Sequence, residues 1–408
     1  MATSPAPSRF DTLIVGGGLT GLTLAIAIGR LGARVAVIEA QPLEVLASAP
    51  YDGRVTAIAL GSKRLLEGIG VWPGMADAAE AILDIEVGEP DSLGMVHYDH
   101  SEVGDEPLGW IVENRVTRQA LIEAASALDT VHVAAPARID DIERDAGSVE
   151  LGLTNGERLR GAFLCVCEGR QSATRERLGI GARRWSYDQL GIVCTLAHER
   201  PHGGLAVERF FPDGPFAMLP MRGNRSSIVW ALETGLARDV TALDDAAFVA
   251  EVQDRFGDGL GRLSLEGPRW SYPLQLVWAD SYVADRVALV GDAARGIHPI
   301  AGQGWNLALR DVAALAEIVA DRMRLGLDPG DGTALGDYAA WRRFDGLALV
   351  AVTDGINRLF ANDLAPLRLA RELGLAAVDH TPPARRFFMR HAMGLVGDLP
   401  RLMRGEAL

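Results

Sequence analysis

Three features are scarce in this sequence of 408 residues, and each scarcity argues against a class of protein. Only three cysteines occur, which is too few for a disulfide framework, and Cys165 and Cys167 alternate in one apolar run that predicts a strand with both side chains on one face. The formal net charge of −14 is opposite to what phosphate binding requires, so we expect no nucleic-acid partner. No uncharged apolar run reaches ~20 residues, which argues against a transmembrane helix.

Signals for metal binding and export are also lacking. No cluster of histidine and acidic residues has the spacing of metal ligands, so we predict no metal. The N-terminal residues 2–8 contain no apolar signal region, and a strand pattern follows directly. We therefore expect a cytoplasmic enzyme, for which a reducing compartment agrees with the cysteine content.

A glycine-rich turn near the N-terminus predicts a dinucleotide site. The short β pattern Asp11–Val15 is followed by Gly16, Gly18 and Gly21 in the G-x-G-x-x-G spacing, and then by a helical pattern. Glycines of this kind serve a tight turn, close approach of the backbone to a pyrophosphate, and close packing of helix on strand. The triplet alone also fits a plain glycine-rich turn. The acidic Glu39 at the end of the next strand, where a ribose hydroxyl is bound, favours the dinucleotide.

The segment Gly291–Asp311 predicts a second cofactor contact. It follows the apolar run Val287–Val290 and passes through glycines and a proline into a helix, which delivers backbone N–H groups and a helix N-terminus to an electron-rich group. The segment therefore predicts a flavin site, in which Asp292 would accept hydrogen bonds from the ribityl chain of the flavin. The helix dipole would stabilise negative charge on a reduced flavin by about 1 kcal/mol.

A third element, Cys167–Arg175, follows the apolar run Ala162–Val166. The three elements in this order resemble the aromatic-ring flavoprotein monooxygenases of the para-hydroxybenzoate hydroxylase type, and among them the ubiquinone-biosynthesis hydroxylase family. The C-terminal sequence Gly394–Leu402 resembles the ending of that family, which general phenol hydroxylases do not share.

The resemblance implies bound FAD, with NAD(P)H and O2 as co-substrates, and hydroxylation of a polyprenylated phenol in ubiquinone biosynthesis through a flavin C4a-hydroperoxide. The residues that we expect to bind FAD are Gly16, Gly18, Gly21, Glu39, Arg54, Arg118, Asp292, Gly302, Gln303, Gly304 and Asn306. Candidates for NAD(P)H and flavin contacts are Arg170 and Arg175, and candidates for the substrate pocket are Phe216, Leu219, Pro220 and Trp305.

For several residues the sequence fits more than one role. Arg175 fits a structural ion pair as well as a nicotinamide contact. His298 and Pro299 are the catalytic candidates, although the pair also fits a role in shaping the turn, and an activated phenol requires no dedicated base. The exact substrate is open because Trp305 stands where the family has a smaller apolar residue and would narrow the space beside the flavin ring. Arg295 stands where histidine is common and Ala308 where glycine is frequent, and neither departure removes an essential flavin contact. Hydroxylation of a small soluble phenol and a non-catalytic flavin-binding subunit are the alternatives.

The predicted fold class is α/β, and the domains are interleaved. Residues 1–72, 110–184 and 281–345 form a Rossmann-like FAD-binding domain with a doubly wound, mostly parallel sheet. Residues 73–109 and 185–280 form an antiparallel substrate-binding sheet, and residues 346–408 are predicted to be a helical region interrupted at Pro382 and Pro383. The C-terminal stretch 385–396 combines arginines with apolar residues, which fits contact with the inner face of a membrane, with a ubiquinone-biosynthesis complex, or with the protein's own core or a dimer partner.

Overall fold

The computed structural model describes residues 7–48, 50–89, 95–297, 302–343, 345–346, 374 and 377–408. The strands are β1 (Ser8–Arg9), β2 (Thr12–Val15), β3 (Val35–Ile38), β4 (Val55–Ala59), β5 (Glu80–Ile82), β6 (Asp84–Gly88), β7 (Met95–Asp99), β8 (Gly109–Glu113), β9 (Val131–Ala134), β10 (Ile139–Arg144), β11 (Val149–Leu153), β12 (Arg158–Gly161), β13 (Phe163–Val166), β14 (Ala182–His198), β15 (Leu205–Phe211), β16 (Gly214–Met221), β17 (Arg225–Glu233), β18 (Leu263–Ala279), β19 (Val283–Ala284), β20 (Val287–Leu289) and β21 (Arg295–Gly296). The helices are α1 (Leu19–Gly29), α2 (Leu43–Ala47), α3 (Leu60–Gly68), α4 (Asn114–Ser126), α5 (Ala173–Arg177), α6 (Thr234–Ala242), α7 (Asp245–Phe256), α8 (Gly304–Arg324), α9 (Pro382–Ala392) and α10 (Arg401–Arg404).

A six-stranded sheet forms the centre of the first domain. Its order is β19-β20-β13-β2-β3-β9, parallel from β20 to β9, with β19 antiparallel at the edge. The strands β2, β3 and β13 are buried throughout, because they carry continuous apolar runs with both faces covered. The helices α1 and α8 pack together on one face of this sheet.

The two cysteines of β13 and its extension lie on the face that α1 and α8 cover. Cys165 and Cys167 belong to the same core cluster, as the alternation of strand side chains predicts. Burial raises the pKa of both thiols above their ordinary value, so neither is a thiolate at neutral pH. These cysteines are therefore packing residues.

Two small sheets flank this centre. The sheet β1-β12-β11-β10 lies against the opposite face of the six-stranded sheet, with Val149, Leu151 and Leu159 in the shared core. The sheet β4-β8-β5 joins the core formed by α1, α3 and α8.

An eight-stranded sheet forms the second layer, in the order β21-β18-β14-β17-β16-β15-β6-β7. One face is covered by α6 and α7, and its core includes Trp230, Phe248 and Val252. The other face is turned toward the first domain, where Tyr51 Oη lies 2.8 Å from Thr195 Oγ1 and Tyr272 Oη donates to the carbonyl of Asp52 at 3.0 Å. A cleft between a parallel and an antiparallel sheet follows from this arrangement.

The described part of the C-terminal region contains α9 and α10. The helix α9 begins at Pro382 and Pro383, because proline is well suited to the first turn of a helix, where its missing N–H leaves no bond unmade. The two prolines thus start a helix, whereas the sequence suggested that they only interrupt one. Residues 347–373 of the predicted helical region lie outside the described residues. No helix of the described chain is both long and apolar enough to cross a bilayer.

Candidate active site

The turn between β2 and α1 has the geometry of an anion site. Gly16 has φ +100°, and an added Cβ would lie 2.8 Å from the carbonyl carbon of Cys167. At Gly21 an added Cβ would lie 1.9 Å from the carbonyl oxygen of Gly16, so helix and turn touch through their backbones. At Gly18, in contrast, nothing lies within 4 Å of the added Cβ. The three glycines therefore divide into two that close the turn and one that faces open space.

The first turn of α1 is free to receive that anion. Gly18 is its N-cap, no side chain caps the helix, and no acidic residue occurs in the first turn. The free N–H groups at a helix N-terminus, together with the helix dipole, favour a phosphate. This N-terminus opens onto the space beside Gly18.

Glu39 lies next to the same turn. Its carboxylate accepts hydrogen bonds from the N–H groups of Gly17 and Gln41, both at 2.8 Å. An added Cβ at Gly17 would lie 2.9 Å from the Glu39 Cβ, so this position also requires glycine. The backbone thus fixes the carboxylate at the edge of the cleft, and its remaining lone pairs can accept ribose hydroxyl groups.

Asp292 and Arg170 meet on the other side of the cleft. Arg170 Nε donates to Asp292 Oδ2 at 3.2 Å, and Arg170 Nη2 donates to the carbonyl of Ile297 at 3.2 Å. The side chains of Arg170 and Asp292 are 32% and 37% exposed, so both remain accessible to a ligand. Desolvation raises the pKa of Asp292 above its ordinary value. The positive charge of Arg170 opposes this effect but does not cancel it. An enclosed but accessible carboxylate of this kind suits a polyhydroxylated chain.

Arg175 has a structural role. Its side chain is fully buried, and Nη1 donates to the carbonyls of Arg170 and Ala293 at 3.2 and 2.9 Å. The hydroxyl of Ser172 caps the short helix α5 by accepting from the Arg175 N–H. Arg175 therefore ties the strand-to-helix turn to the Gly291–Ala293 turn. Of the two arginines proposed for the nicotinamide, the structure places only Arg170 at the cleft.

The N-terminus of α8 is held by Asn306. Its Oδ1 accepts from the Ala59 N–H at 2.9 Å, and its Nδ2 donates to the carbonyls of Ala57 and Gly302 at 2.8 and 3.4 Å. Because its amide is occupied by backbone groups, Asn306 orients α8 against β4 instead of presenting a free amide to a cofactor. Gly302 has φ +61°, a left-handed conformation that glycine adopts without strain.

The other residues of this turn are placed as follows. Gly304 begins α8, and Gln303 is the N-cap residue, with no side-chain cap bond to the helix. The Nε1 of Trp305 is buried and has no hydrogen-bond partner among the described residues. His298 and Pro299 lie outside the described residues, so their predicted catalytic role stays a prediction.

Two further arginines lie on the segments that frame the cleft. Arg54 donates from Nε to Asp52 at 2.8 Å, and its guanidinium carbon lies 5.6 Å from the centre of the Tyr272 ring. It therefore sits where the first domain meets the eight-stranded sheet. Arg118 lies half-buried on α4 and acts electrostatically on Asp52. Their contact with FAD stays a prediction.

The substrate candidates on β16 divide between the two faces of the sheet. Phe216 is fully buried under α6 and α7 and packs edge-on against Trp230 at 5.8 Å. Pro220 shares its face, because strand side chains two and four residues apart point the same way. Leu219 packs against the core of the first domain. Only Leu219 of these three is therefore turned toward the cleft. Phe216 and Pro220 point to the opposite face of the sheet, so the alternation separates them from Leu219, and their contact with substrate stays a prediction.

Comparisons with known proteins agree with this geometry. The FAD binding domain family matches residues 9–332. The chain is 48% identical to ubiquinone hydroxylase UbiL of Rhodospirillum rubrum, over 100% of this chain and 95% of the relative. It is 34% identical to 3-demethoxyubiquinol 3-hydroxylase of Escherichia coli, over 94% and 98% of the two chains. The fold is similar to the crystal structure of p-nitrophenol 4-monooxygenase PnpA from Pseudomonas putida DLL-E4, with a TM-score of 0.78 and 18% identity over 96% and 99% of the two chains.

The chain belongs to the ubiquinone-biosynthesis hydroxylase family of FAD-dependent monooxygenases. The residues of the monooxygenase fit FAD, because the open space at Gly18 and the uncapped start of α1 suit a pyrophosphate, while Glu39 and Asp292 offer carboxylates for hydroxyl groups. The described residues contain no group of three or more histidine, cysteine and acidic side chains that would hold a metal ion.

Sequence reasoning missed two groups of the monooxygenase that the structure brings forward. Asp311 is fully buried; it accepts from Arg295 at 2.6 Å and Arg342 at 2.8 Å, and from the Gly291 N–H at 3.0 Å. Arg295 is thus paired with a buried carboxylate that also accepts from the Gly291 N–H. The other is Glu208, a half-buried acid on β15, whose surroundings became apparent only from the pairing of strands. The one available sequence signal was an acid in a run that is otherwise apolar.

Proposed function

We propose that this monooxygenase uses NAD(P)H and O2 to hydroxylate the aromatic ring of a polyprenylated phenol in ubiquinone biosynthesis. The observation that carries the proposal is the apolar row on the sheet face that is turned toward the first domain, which carries the predicted FAD contacts. On that surface Ala217, Val229 and Val193 form one row across three strands. An apolar surface of this kind suits an alkylated ring and excludes water from it.

FAD, when bound, supplies the oxygen atom that is transferred, after reduction by the nicotinamide and reaction with O2. The chain's own residues bind and orient the cofactor. The start of α1 would hold the pyrophosphate, Glu39 the adenosine ribose and Asp292 the ribityl hydroxyls. The N-terminus of α8, which Asn306 fixes against β4, would stabilise negative charge on the reduced ring.

Arg170 is the side chain that we propose for contact with the nicotinamide cofactor. It is partly accessible, whereas Arg175 is fully buried. Guanidinium groups bind phosphates through paired hydrogen bonds, and breaking the 3.2 Å contact with Asp292 would free Arg170 to do so.

The helix α9 supports a peripheral contact with a membrane, where a polyprenylated substrate would reside. Phe387 and Phe388 are 53% and 45% exposed, and Arg386 and Arg390 are exposed beside them. Exposed aromatics with flanking arginines favour an interfacial position at the inner face of an anionic membrane.

We expect FAD-loaded protein to sediment with vesicles containing anionic phospholipid. The double variant Phe387→Ser with Phe388→Ser should sediment with them less. The matched control is Leu325→Ser, because Leu325 is 72% exposed but lies at the end of α8. Equal sedimentation of all three proteins would contradict this role of α9.

Complementation tests the proposed reaction. Hosts deleted for their own ring hydroxylases, one position at a time, would each receive this chain, and quinone intermediates would be measured by mass spectrometry. We expect one strain to regain ubiquinone, and the strain would identify the ring carbon. A Gly18→Ser variant is the matched control, because it should fold without binding FAD normally. Failure of flavin-loaded protein to restore any strain would favour a soluble phenol or a non-catalytic role.

A further inference from the structure

The face of the eight-stranded sheet that is turned toward the cleft carries Glu208 on β15, the third strand from the β7 edge. Strand register pairs Glu208 with Ala217 on β16 and with Val87 on β6. Ala206, two residues earlier on the same face, packs against the core of the first domain. Glu208 thus lies two residues beyond the point where this face of β15 contacts the first domain. Its carboxyl group faces into the cleft.

The carboxyl group of Glu208 has no hydrogen-bond or ion-pair partner in the described part of the chain, although its side chain is half-buried. Its neighbours along the strand on this face are Ala206 and Phe210, and its neighbours across the strands are Val87 and Ala217, none of which is titratable. The nearest ionisable group on this face by register is Tyr98 on β7, which is paired with Ile85 in the adjacent row. No charged side chain of the described residues shifts the titration of Glu208.

Desolvation alone raises the pKa of Glu208 to about 7. Buried acids without a partner are costly, and proteins ordinarily provide them with a donor. Here the strand positions on either side offer no donor, while a water-sized molecule can still reach the carboxyl group. The missing donor is therefore expected to come from a ligand in the cleft.

We infer that Glu208 accepts the hydroxyl proton of the phenolic substrate and thereby activates the ring toward oxygen transfer. This inference rests on the proposed ring hydroxylation. The proton would move from the phenol oxygen to Glu208 Oε as the ring carbon forms its C–O bond to the hydroxyl group that the oxygen-loaded FAD would supply, while the bond between that hydroxyl group and the cofactor breaks. The resulting ring ketone then loses the proton of that carbon, which would neutralise the alkoxide left on the cofactor. The phenol oxygen regains its own proton from Glu208, which leaves the carboxylate ready for the next turnover. A desolvated carboxylate is a stronger base than an exposed one and is well matched to neutral pH.

The test compares Glu208→Gln with the FAD-loaded wild-type enzyme, using the phenol that complementation identifies. Wild-type turnover should rise with pH through about 7, because only the ionised Glu208 accepts a proton. In Glu208→Gln we expect turnover about 100-fold lower and without this step. The control is Glu233→Gln, because Glu233 is an exposed acid at the end of β17 in the same sheet and should keep the wild-type profile. A wild-type rate and profile in Glu208→Gln would overturn the inference.

A binding measurement separates this inference from the proposed function. The affinity of FAD-loaded, non-reduced protein for 4-hydroxybenzoate and for an alkylated phenol would be titrated between pH 5 and 9 from the flavin absorbance change. We expect the alkylated phenol to bind about tenfold more tightly above pH 7 in the wild-type protein, and with no pH step in Glu208→Gln. If no phenol is ever hydroxylated, the proposed function fails, and the binding profile still decides the role of Glu208. Identical profiles in the two proteins would exclude contact between Glu208 and the phenol.

Discussion

The two sides of the cleft are built by different means. On the FAD side, the turn after β2 is defined by backbone contacts, such as the approach of α1 to the Gly16 carbonyl, and side chains contribute little beyond Glu39. On the sheet side, the backbone is a regular ladder, and the chemistry depends on which side chains face the cleft, as Glu208 does and Phe216 does not. Substitutions on the FAD side should therefore disturb the fold or FAD binding when they add volume. On the sheet side, the effect of a substitution should depend on which face of the strand the side chain occupies.

The largest effect should follow an added methyl group at Gly21. A Cβ there would lie 1.9 Å from a backbone oxygen, which cannot move aside as a side chain does. Overpacking costs about 1–3 kcal/mol where side chains can adjust, and more where they cannot. We expect Gly21→Ala to yield little folded protein by circular dichroism and thermal unfolding. Gly336→Ala, where nothing lies within 4 Å of the added Cβ, should fold normally. Normal unfolding of Gly21→Ala would contradict the backbone contact.

Phe216 and Leu219 test the alternation of the sheet. Phe216→Ala should lower the free energy of unfolding by about 3–5 kcal/mol in urea titrations, because it opens a cavity under α6 and α7. The folded fraction should keep its KM for the phenol. Leu219→Ala should cost less stability and raise KM, because Leu219 is half-buried and faces the cleft side. The reverse pattern would show that the sheet presents its other face to the substrate.

Arg175 and Arg170 test the difference between a buried support and an accessible ligand. Arg175→Met should lower the free energy of unfolding by about 2–4 kcal/mol, because it removes hydrogen bonds to one buried and one partly buried carbonyl group. Arg170→Met should change stability by less than about 1 kcal/mol, since its ion pair with Asp292 is partly solvated. Stopped-flow measurement should instead show slower flavin reduction by NAD(P)H in Arg170→Met. Equal losses of stability in the two variants would remove this distinction.

Replacement of Glu208 by glutamine should stabilise the folded protein to an extent that depends on pH. The ordinary pKa of 4.5 applies to the unfolded chain, and the folded pKa is about 7. Between these pH values the unfolded state releases a proton that the folded state retains. The destabilisation of the folded state by Glu208 therefore grows as pH rises, and it is complete above about pH 7. After allowance for its partial exposure, we expect Glu208→Gln to stabilise the protein by about 2 kcal/mol at pH 8 and not at pH 4. Thermal unfolding at the two pH values measures this. An equal change at both would mean that Glu208 titrates normally.

Substitution of Gly18 should change the stability of the fold least of all and should nevertheless weaken the binding of FAD. Gly18 has φ −77° and ψ −170°, which a serine N-cap adopts, and its added Cβ meets only open space. Gly18→Ser should therefore keep the melting temperature of the apoprotein, while its side chain occupies the place of a phosphate. We expect FAD affinity to fall about tenfold or more in equilibrium titrations, equivalent to ~1.4 kcal/mol. Unchanged affinity would exclude close approach of the pyrophosphate to this glycine.

The parts of the fold and site that could be predicted share one physical cause, which is that their signals are local. The order strand, glycine turn, helix and acid around Gly16 and Glu39 lies within one short segment, and the buried strands show their apolar runs directly. The roles of Arg170 and Arg175 could not be separated in this way, because both lie in one short motif and only the surrounding turns decide which is buried. The support of α8 by Asn306 was equally hidden, since its partners on β4 lie almost 250 residues away along the chain.

The sequence by itself determined the dinucleotide site and the interleaved α/β plan, because glycine spacing and apolar periodicity are properties of neighbouring residues. Its resemblance to the family, carried by three motifs in order and by the C-terminal ending, implied FAD. The tertiary structure alone decided which side chains reach the cleft. The pairing of β15 with β16 and β6 placed Glu208 on the open face, and the packing of α6 and α7 placed Phe216 on the closed one. A strand directs alternate side chains to opposite faces, and only the contacts of the folded sheet determine which face becomes the wall of a site.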